Sequence, residues 1–310
     1  MTLDFSSSRF QPELRAAFPT DRPEEIFGFL QTEMKSGRRC ALVTLVEIID
    51  GGARALGTHM GVSEDGRYCG FVSGGCIETA VAREAIMAIS EGADRECQFG
   101  KGSPYFDIVL PCGGGLRLNI HVLRETAPID AILTAIADRK TASLIYNPDR
   151  QVLSVHEGDA STGWDGDVFV SVQRPEPQFL ISGRGVESIA LAAMASAAGF
   201  RVLQADNGRI DATTDRETAV VLLHHDVDTE LLMLKAALDT DAFYIGCLGS
   251  RRTHAKRIEL LENEGISSGQ IARIHAPIGI FGPARVARSI AVSVLAEVIS
   301  KFDLWKRNSV

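Results

Sequence analysis

The sequence predicts an α/β protein of two domains, the second built around a parallel sheet. The chain has 310 residues, a length that usually divides into two domains. Over its second half, short apolar runs alternate with helical patterns, which is the order of units in a parallel sheet. There an apolar run at 179–182 meets a glycine turn and an alanine-rich helix, as in Rossmann-like folds.

Composition and charge exclude several classes of function. Hydrophobic residues make up 45% and charged residues 23%, as in globular proteins with complete cores. The formal net charge of −8 argues against nucleic-acid or anionic-membrane partners. No apolar run is long enough for a membrane span, and the first ten residues lack a secretory signal, so we expect a cytoplasmic protein. The six cysteines form no C-x-x-C pair, which argues against structural zinc and favours reduced thiols.

The first domain is predicted to mix helices and strands. Ile77, Val81, Ala85 and Ile89 recur every four residues and predict one buried helix face. A segment rich in proline and charge, 174–178, is the predicted linker, which gives domains 1–177 and 178–310. The predicted helices are 23–36, 76–90 and 127–138, and the predicted strands are 40–48, 68–72 and 116–123, followed by short strands over 141–173.

Two cysteines lie in glycine-rich turns of the first domain, in V-S-G-G-C-I-E (72–78) and P-C-G-G-G (111–115). Glycine adopts positive φ and lets backbone approach a ligand closely, and consecutive N–H groups can form an anion-binding nest. A thiol beside such a nest is shifted toward thiolate. We therefore predict a pocket for an anionic or metal-bearing ligand, although inert buried cysteines remain the alternative. The predicted pocket residues are Gly74, Gly75, Cys76, Glu78, Cys112, Gly113 and Gly114.

The second domain opens with a dinucleotide-type turn, G-R-G-V-E-S (183–188), after its first strand. The second strand, at 200–205, ends at Asp206, about 20 residues after Gly183, where a ribose-binding carboxylate is expected. Gly183, Gly185 and Asp206 are therefore predicted to bind NAD or another nucleotide. Asp206 would favour NAD over NADP, because a carboxylate repels a 2′-phosphate. The alternative is a Rossmann-like domain whose nucleotide site is altered.

Two further groups are predicted at the carboxyl ends of strands in this domain. The segment 207–217 is too short for a helical crossover, so the third strand, 218–224, should lie on the other side of the first. That placement brings His225 to the crevice, whereas Asp226 has the alternative of capping a helix. Ser250, Arg251 and Arg252 follow the fourth strand, 242–248, and are predicted to hold a phosphate, with a solvated basic turn as the alternative.

Several stretches of this chain resemble the XdhC/CoxI family, the accessory factors of xanthine dehydrogenase and related molybdenum hydroxylases. The resemblance spans nearly the whole chain. It rests on the two cysteine-bearing turns, the Gly183 turn, His225-Asp226, and the stretches A-L-V-T-L-V-E (41–47), Y-I-G-C-L-G-S-R-R-T-H-A-K-R (244–257), H-A-P-I-G (275–279) and I-A-V-S-V-L-A-E (290–297).

The resemblance implies a protein that binds molybdenum cofactor and delivers it to an apo-hydroxylase. A cysteine desulfurase is the implied partner that installs the terminal sulfido ligand, and a homodimer is a further expectation. Cys112 is then the candidate molybdenum ligand, since thiolates suit soft, sulfur-rich metal centres. Two alternatives stay open: an NAD(P)-dependent oxidoreductase that uses Asp206 and His225, and a molybdopterin nucleotidyltransferase. Delivery itself needs no turnover, so the sequence leaves enzyme status undecided.

Overall fold

The computed structural model of the chain describes residues 12–103, 110, 113–205, 210 and 214–308. The chain divides into two compact units, Met1–Pro175 and Glu176–Val310. The first unit contains two sheets and the second a parallel sheet, so the predicted α/β class is confirmed. Within the described ranges, no helix combines the length and apolar character that a membrane crossing requires.

The first unit packs helices against a six-stranded and a four-stranded sheet. The six-stranded sheet has the order β1-β4-β3-β2-β6-β5, and the four-stranded sheet has the order β8-β7-β10-β9. The predicted face of α2 is buried against β2 and β6. The strands are β1 Arg15–Ala16, β2 Cys40–Ile49, β3 His59–Ser63, β4 Arg67–Cys69, β5 Arg95–Gly100, β6 Gly115–Leu123, β7 Ala142–Asn147, β8 Val152–Glu157, β9 Gly163–Asp165 and β10 Val168–Gln173, and the helices are α1 Pro23–Lys35, α2 Glu78–Glu91 and α3 Ala127–Ala137.

The second unit is a five-stranded parallel sheet in the order β12-β11-β13-β14-β15. The third strand therefore lies on the other side of the first, as predicted, and the carboxyl ends of β11 and β13 border the crevice. α4 and α8 share one apolar core with the sheet, and α5 and α6 share another. The strands are β11 Gln178–Ser182, β12 Arg201–Gln204, β13 Thr218–Leu222, β14 Tyr244–Cys247 and β15 Ile274–His275, and the helices are α4 Val186–Ala197, α5 Val227–Leu238, α6 Arg251–Asn263, α7 Ser268–Ile271 and α8 Ala287–Asn308.

Several elements differ from the sequence prediction. β4 ends at Cys69 because Gly70 has φ +98° and lies against the β3 backbone; a Cβ there would lie 2.6 Å from the His59 oxygen. α2 begins at Glu78, two residues later than predicted, since the preceding residues form a turn. Six elements have no counterpart among the predicted helices and strands, namely β1, β3, β5, β15, α7 and α8.

A buried histidine links the two sheets of the first unit. His59 lies on β3, with Nδ1 3.1 Å from Thr44 Oγ1 of β2 and Nε2 2.9 Å from Ser171 Oγ of β10. Gln173 Nε2 lies 3.3 Å from the same Nε2 atom. Burial lowers the pKa of His59 to about 4, because the charged form loses its hydration. The junction between the sheets therefore requires a neutral imidazole.

This requirement predicts acid sensitivity with a defined sign. The unfolded chain protonates His59 near the ordinary value of 6.5 and the folded chain near 4, so its contribution to stability is lost as the pH falls through that window. The loss is on the order of 3 kcal/mol. The stability difference between wild type and His59→Gln should therefore shrink by about that amount between neutral pH and pH 4. Urea unfolding measures it, and His156→Gln, at an exposed position, is the control. A constant difference across this window would contradict the assignment.

Candidate functional site

The first predicted site residues lie in a tight turn between β4 and α2, which we call the first glycine turn (Ser73–Cys76). Gly74 and Gly75 have φ of +111° and +107°, in the region that disfavours other residues. A Cβ at Gly75 would meet no described atom within 4 Å. The backbone conformation, and not crowding, therefore requires glycine at Gly75.

The carboxylate of Glu78 fills this turn from the inside. Glu78 is 3% exposed, and its Oε1 accepts from the N–H groups of Ser73 at 2.9 Å and Gly74 at 3.2 Å. Its Oε2 accepts from the N–H of Ile77 at 3.2 Å. Burial by itself would raise the pKa of Glu78, but hydrogen bonds led by the Ser73 N–H outweigh it, so the pKa is lowered. Of the glycines predicted to bind an external anion, Gly74 thus donates its N–H to an internal one, and Glu78 positions the turn.

Cys76 is the residue that this turn presents to solvent. Its thiol is free and exposed, and its N–H donates to Ser73 Oγ at 3.2 Å. The other described cysteines are buried, and burial raises the thiol pKa of Cys40, Cys69 and Cys97 to about 12. Among the described cysteines, Cys76 therefore combines access with a fixed backbone.

The second glycine turn (Gly113–Gly115) precedes β6, and Cys112 lies outside the described residues. A Cβ at Gly114 would lie 2.2 Å from the Gly51 oxygen, so crowding at the end of β2 requires glycine there. The same loop reaches the first glycine turn, because Ala53 Cβ would lie 3.8 Å from a Cβ at Gly74. Both glycine turns thus border the segment 51–53. A shared pocket for Cys76 and Cys112 stays a prediction.

In the second unit, the dinucleotide-type turn (Gly183–Gly185) follows β11. Gly183 has φ +142°, and a Cβ there would lie 2.6 Å from the Leu223 oxygen after β13. Gly185 has an ordinary φ of −78°, but a Cβ there would lie 2.6 Å from Glu187 Oε2. In Rossmann folds a pyrophosphate approaches the backbone at the second glycine of this motif, which is Gly185 here. The carboxylate of Glu187 therefore occupies the space that the pyrophosphate would use. The predicted ribose-binding residue, Asp206, lies outside the described residues.

Three polar residues, His224, His225 and Asp226, follow β13. Two of them have structural roles, and one is a candidate site residue. The side chain of His225 is 72% exposed, and its Nε2 lies 3.7 Å from Glu187 Oε2. His224 points back to β11, with Nε2 2.9 Å from Ser182 Oγ. Asp226 caps α5 and accepts from the N–H groups of Asp228 and Thr229, both at 3.3 Å, which is the capping role held open as the alternative. Of this group, only His225 faces the crevice with Glu187.

The start of α6 carries the third predicted group. Ser250 is the N-cap residue, and its Oγ accepts from the Thr253 N–H at 3.2 Å, so its hydroxyl serves the helix. Arg251 and Arg252 are exposed and form no hydrogen bond or ion pair with any residue that the structure describes. Cations in the first turn oppose the helix dipole. These two guanidiniums are therefore unfavourably placed for stability and free to meet an anion.

An α/β first unit with a thiol-bearing glycine turn, joined to a Rossmann-type second unit, defines a recognisable class of protein. The chain matches the model of the XdhC and CoxI family over residues 34–100 and that of the XdhC Rossmann domain over residues 179–298. It is 46% identical, over 92% of its length and 90% of the relative's, to an Escherichia coli (strain K12) protein named molybdenum cofactor insertion chaperone PaoD. The chain belongs to the XdhC and CoxI family.

More distant relatives also match most of the length of this chain. A Bacillus subtilis (strain 168) protein, named as a probable component of xanthine dehydrogenase, is 22% identical over 87% of this chain and 95% of its own. A crystal structure from Bacillus halodurans, described as a xanthine dehydrogenase, has a TM-score of 0.68 and 18% identity. It covers 89% of this chain and 95% of that one. At that identity the likeness establishes the fold.

The role of Glu78 yields a prediction at the level of single amides. In Glu78→Ala, the N–H groups of Ser73 and Gly74 lose their acceptor, and that of Ile77 keeps only Ser73 Oγ at 3.3 Å. Hydrogen exchange should therefore accelerate at all three amides, at Ser73 and Gly74 by at least about tenfold. The free energy of unfolding should fall by about 1–3 kcal/mol, the usual effect of leaving buried donors unsatisfied. Exchange measured by NMR tests this, with Glu91→Ala at the far end of α2 as the control. Unchanged exchange at the three amides would contradict the role.

The arginines at the start of α6 yield a prediction about stability. Arg252→Glu replaces an unfavourable charge by a favourable one, so without added anion it should raise the free energy of unfolding by about 0.5 kcal/mol. Phosphate should stabilise the wild type and not the variant. Thermal unfolding in both buffers measures this. Arg307→Glu, in the last turn of α8, is the matched control and should lower stability. Equal stabilisation of Arg252→Glu and wild type by phosphate would exclude an anion role for Arg252.

Proposed function

We propose that this chain binds molybdenum cofactor, shields it, and delivers it to a hydroxylase of the xanthine dehydrogenase type. The observation that carries the proposal is the exposed Cys76 thiol on a turn that Glu78 holds in place. The 46% identity to a protein named molybdenum cofactor insertion chaperone supports the same role. The cofactor is then a cargo of this chain and not its resident catalyst.

A thiol is a better contact for this cargo than the backbone N–H groups of the first glycine turn. Thiolates are soft ligands and suit a sulfur-rich molybdenum centre. The N–H groups of Ser73, Gly74 and Ile77, by contrast, are already bonded to Glu78, so we assign the contact with the cargo to the thiol. Cys112, in the other cysteine-bearing motif, is the second proposed thiol contact, since the neighbouring glycine turn borders the same 51–53 segment. In this proposal Glu78 is a positioning residue and the cysteines make the contact.

The proposal includes two protein partners and, separately, an anion-binding surface on the second unit. A cysteine desulfurase supplies the terminal sulfido ligand while this chain shields the cofactor, and an apo-hydroxylase receives it. Self-association into a homodimer is compatible with either exchange. On the second unit, Arg251 and Arg252, whose guanidiniums pair with none of the described residues, are the proposed contacts of a phosphate.

The two alternative activities are less well supported. The Glu187 carboxylate stands over Gly185, where an NAD pyrophosphate would have to approach the backbone, so like charges oppose an NAD-dependent oxidoreductase. The nucleotidyltransferase has no support from the relatives reported above, one of which is named molybdenum cofactor insertion chaperone.

Substitution of the thiols tests the proposal. Cys112→Ser and Cys76→Ser should each lower the amount of cofactor that co-purifies and the activation of an apo-hydroxylase, because a hydroxyl is a poor ligand for soft metals. Thermal midpoints should stay close to wild type for Cys76→Ser, whose side chain is exposed. Molybdenum content and hydroxylase activity are the two measurements.

The control for this test is Cys247→Ser. Cys247 is fully buried on β14, so its substitution alters the core without touching an exposed thiol. It should retain the cofactor even if its thermal midpoint falls. Equal retention by all three variants would make Cys76 and Cys112 ordinary packing or surface residues, and the cofactor role of the glycine turns would have to be abandoned.

A further inference from the structure

The carboxylate of Glu187 is largely buried, and its ion-pair partner among the described residues is His225. Its side chain is only 13% exposed, yet it forms no hydrogen bond with any residue that the structure describes. Arg184, three residues earlier, is exposed and does not pair with it. A carboxylate removed from water without donors is costly, and it is stabilised by a nearby cation. The geometry at the dinucleotide-type turn therefore calls for positive charge.

An imidazole nitrogen lies close to this carboxylate. His225 Nε2 lies 3.7 Å from Glu187 Oε2, too far for a hydrogen bond. Nitrogen and oxygen ligands lie about 2.0–2.2 Å from a bound zinc-like ion, so two ligands of one ion are about 3–4 Å apart. The two atoms also converge on one point, since a Cβ at Gly185 would lie 2.6 Å from Glu187 Oε2 and 3.9 Å from His225 Nε2. The pair has the spacing of two ligands of one metal ion.

We propose that Glu187 and His225 hold a divalent cation over the dinucleotide-type turn. They come from the first turn of α4 and from the segment after β13, at the crevice where strand order reverses. Asp226 contributes nothing, because its carboxylate caps α5. Two protein ligands leave most coordination positions of the ion open.

Those open positions fit a phosphate of the bound ligand. Divalent cations are commonly held by one or two protein ligands together with substrate phosphates. This second step concerns a phosphate-bearing ligand of the second unit, for which inorganic pyrophosphate is the probe. The cation site itself does not depend on it.

Electron paramagnetic resonance of Mn²⁺ added to the purified full chain tests the site without any molybdenum cofactor. The wild type should bind one Mn²⁺ per chain in a saturable manner, and inorganic pyrophosphate should tighten that binding at least about tenfold. Glu187→Gln and His225→Gln should each weaken Mn²⁺ binding at least about tenfold. Asp228→Asn, which removes an exposed carboxylate from the neighbouring α5, is the matched control and should bind like wild type.

Each outcome decides one part of the proposal. Absence of saturable Mn²⁺ binding in the wild type, or equal binding by wild type and both variants, overturns the cation site. Binding that pyrophosphate does not tighten keeps the cation site and overturns the phosphate in its open positions. Because the readout contains no molybdenum, failure here leaves cofactor delivery intact. Loss of cofactor retention in the cysteine variants likewise leaves the cation site intact.

Discussion

The buried carboxylate of Glu78 is the constraint on which the first unit's site depends. Glu78 is 3% exposed, so its carboxylate needs hydrogen-bond donors from the protein. The N–H groups of Ser73, Gly74 and Ile77 supply them. In the turn that these bonds hold, Gly74 and Gly75 adopt positive φ. Glu78 is also the first residue of α2, and Cys76, two residues earlier, lies at the surface. Access to the thiol and rigidity of its backbone thus follow from one internal ion.

The second unit also has an acidic residue beside a glycine turn, but this residue lacks backbone donors among the described residues. Glu187, like Glu78, lies beside a glycine turn in the first turn of a helix. Glu78 is saturated by backbone donors, whereas Glu187 forms no hydrogen bond with the described residues. A saturated carboxylate organises the chain around it, and an unsaturated one attracts a ligand or ion. This difference separates the positioning residue of the first unit from the binding residue of the second.

Much of the fold could be predicted from the sequence, because periodicity and loop length report directly on packing. The four-residue spacing on α2 and the short connection before β13 gave the buried face and the strand order. The role of Glu78 could not be predicted, since an acid near a helix start looks the same whether it meets a ligand or its own turn. β5 is not predicted from the sequence, because its two core residues, Cys97 and Phe99, alternate with polar residues over only a short run. The position of Glu187 in the predicted turn does not show that its carboxylate lies over Gly185.

In the proposed function a thiol, and not the backbone of the glycine turns, contacts the molybdenum of the cargo. X-ray absorption at the molybdenum K-edge distinguishes the two, on the chain purified with its cofactor and on the Cys76→Ser, Cys112→Ser double variant. The wild type should have a molybdenum–sulfur contribution beyond that of the cofactor's own sulfurs, and the residual cofactor of the variant should lack it. Identical sulfur coordination in both samples would contradict the claim and return the glycine turns to a purely structural role.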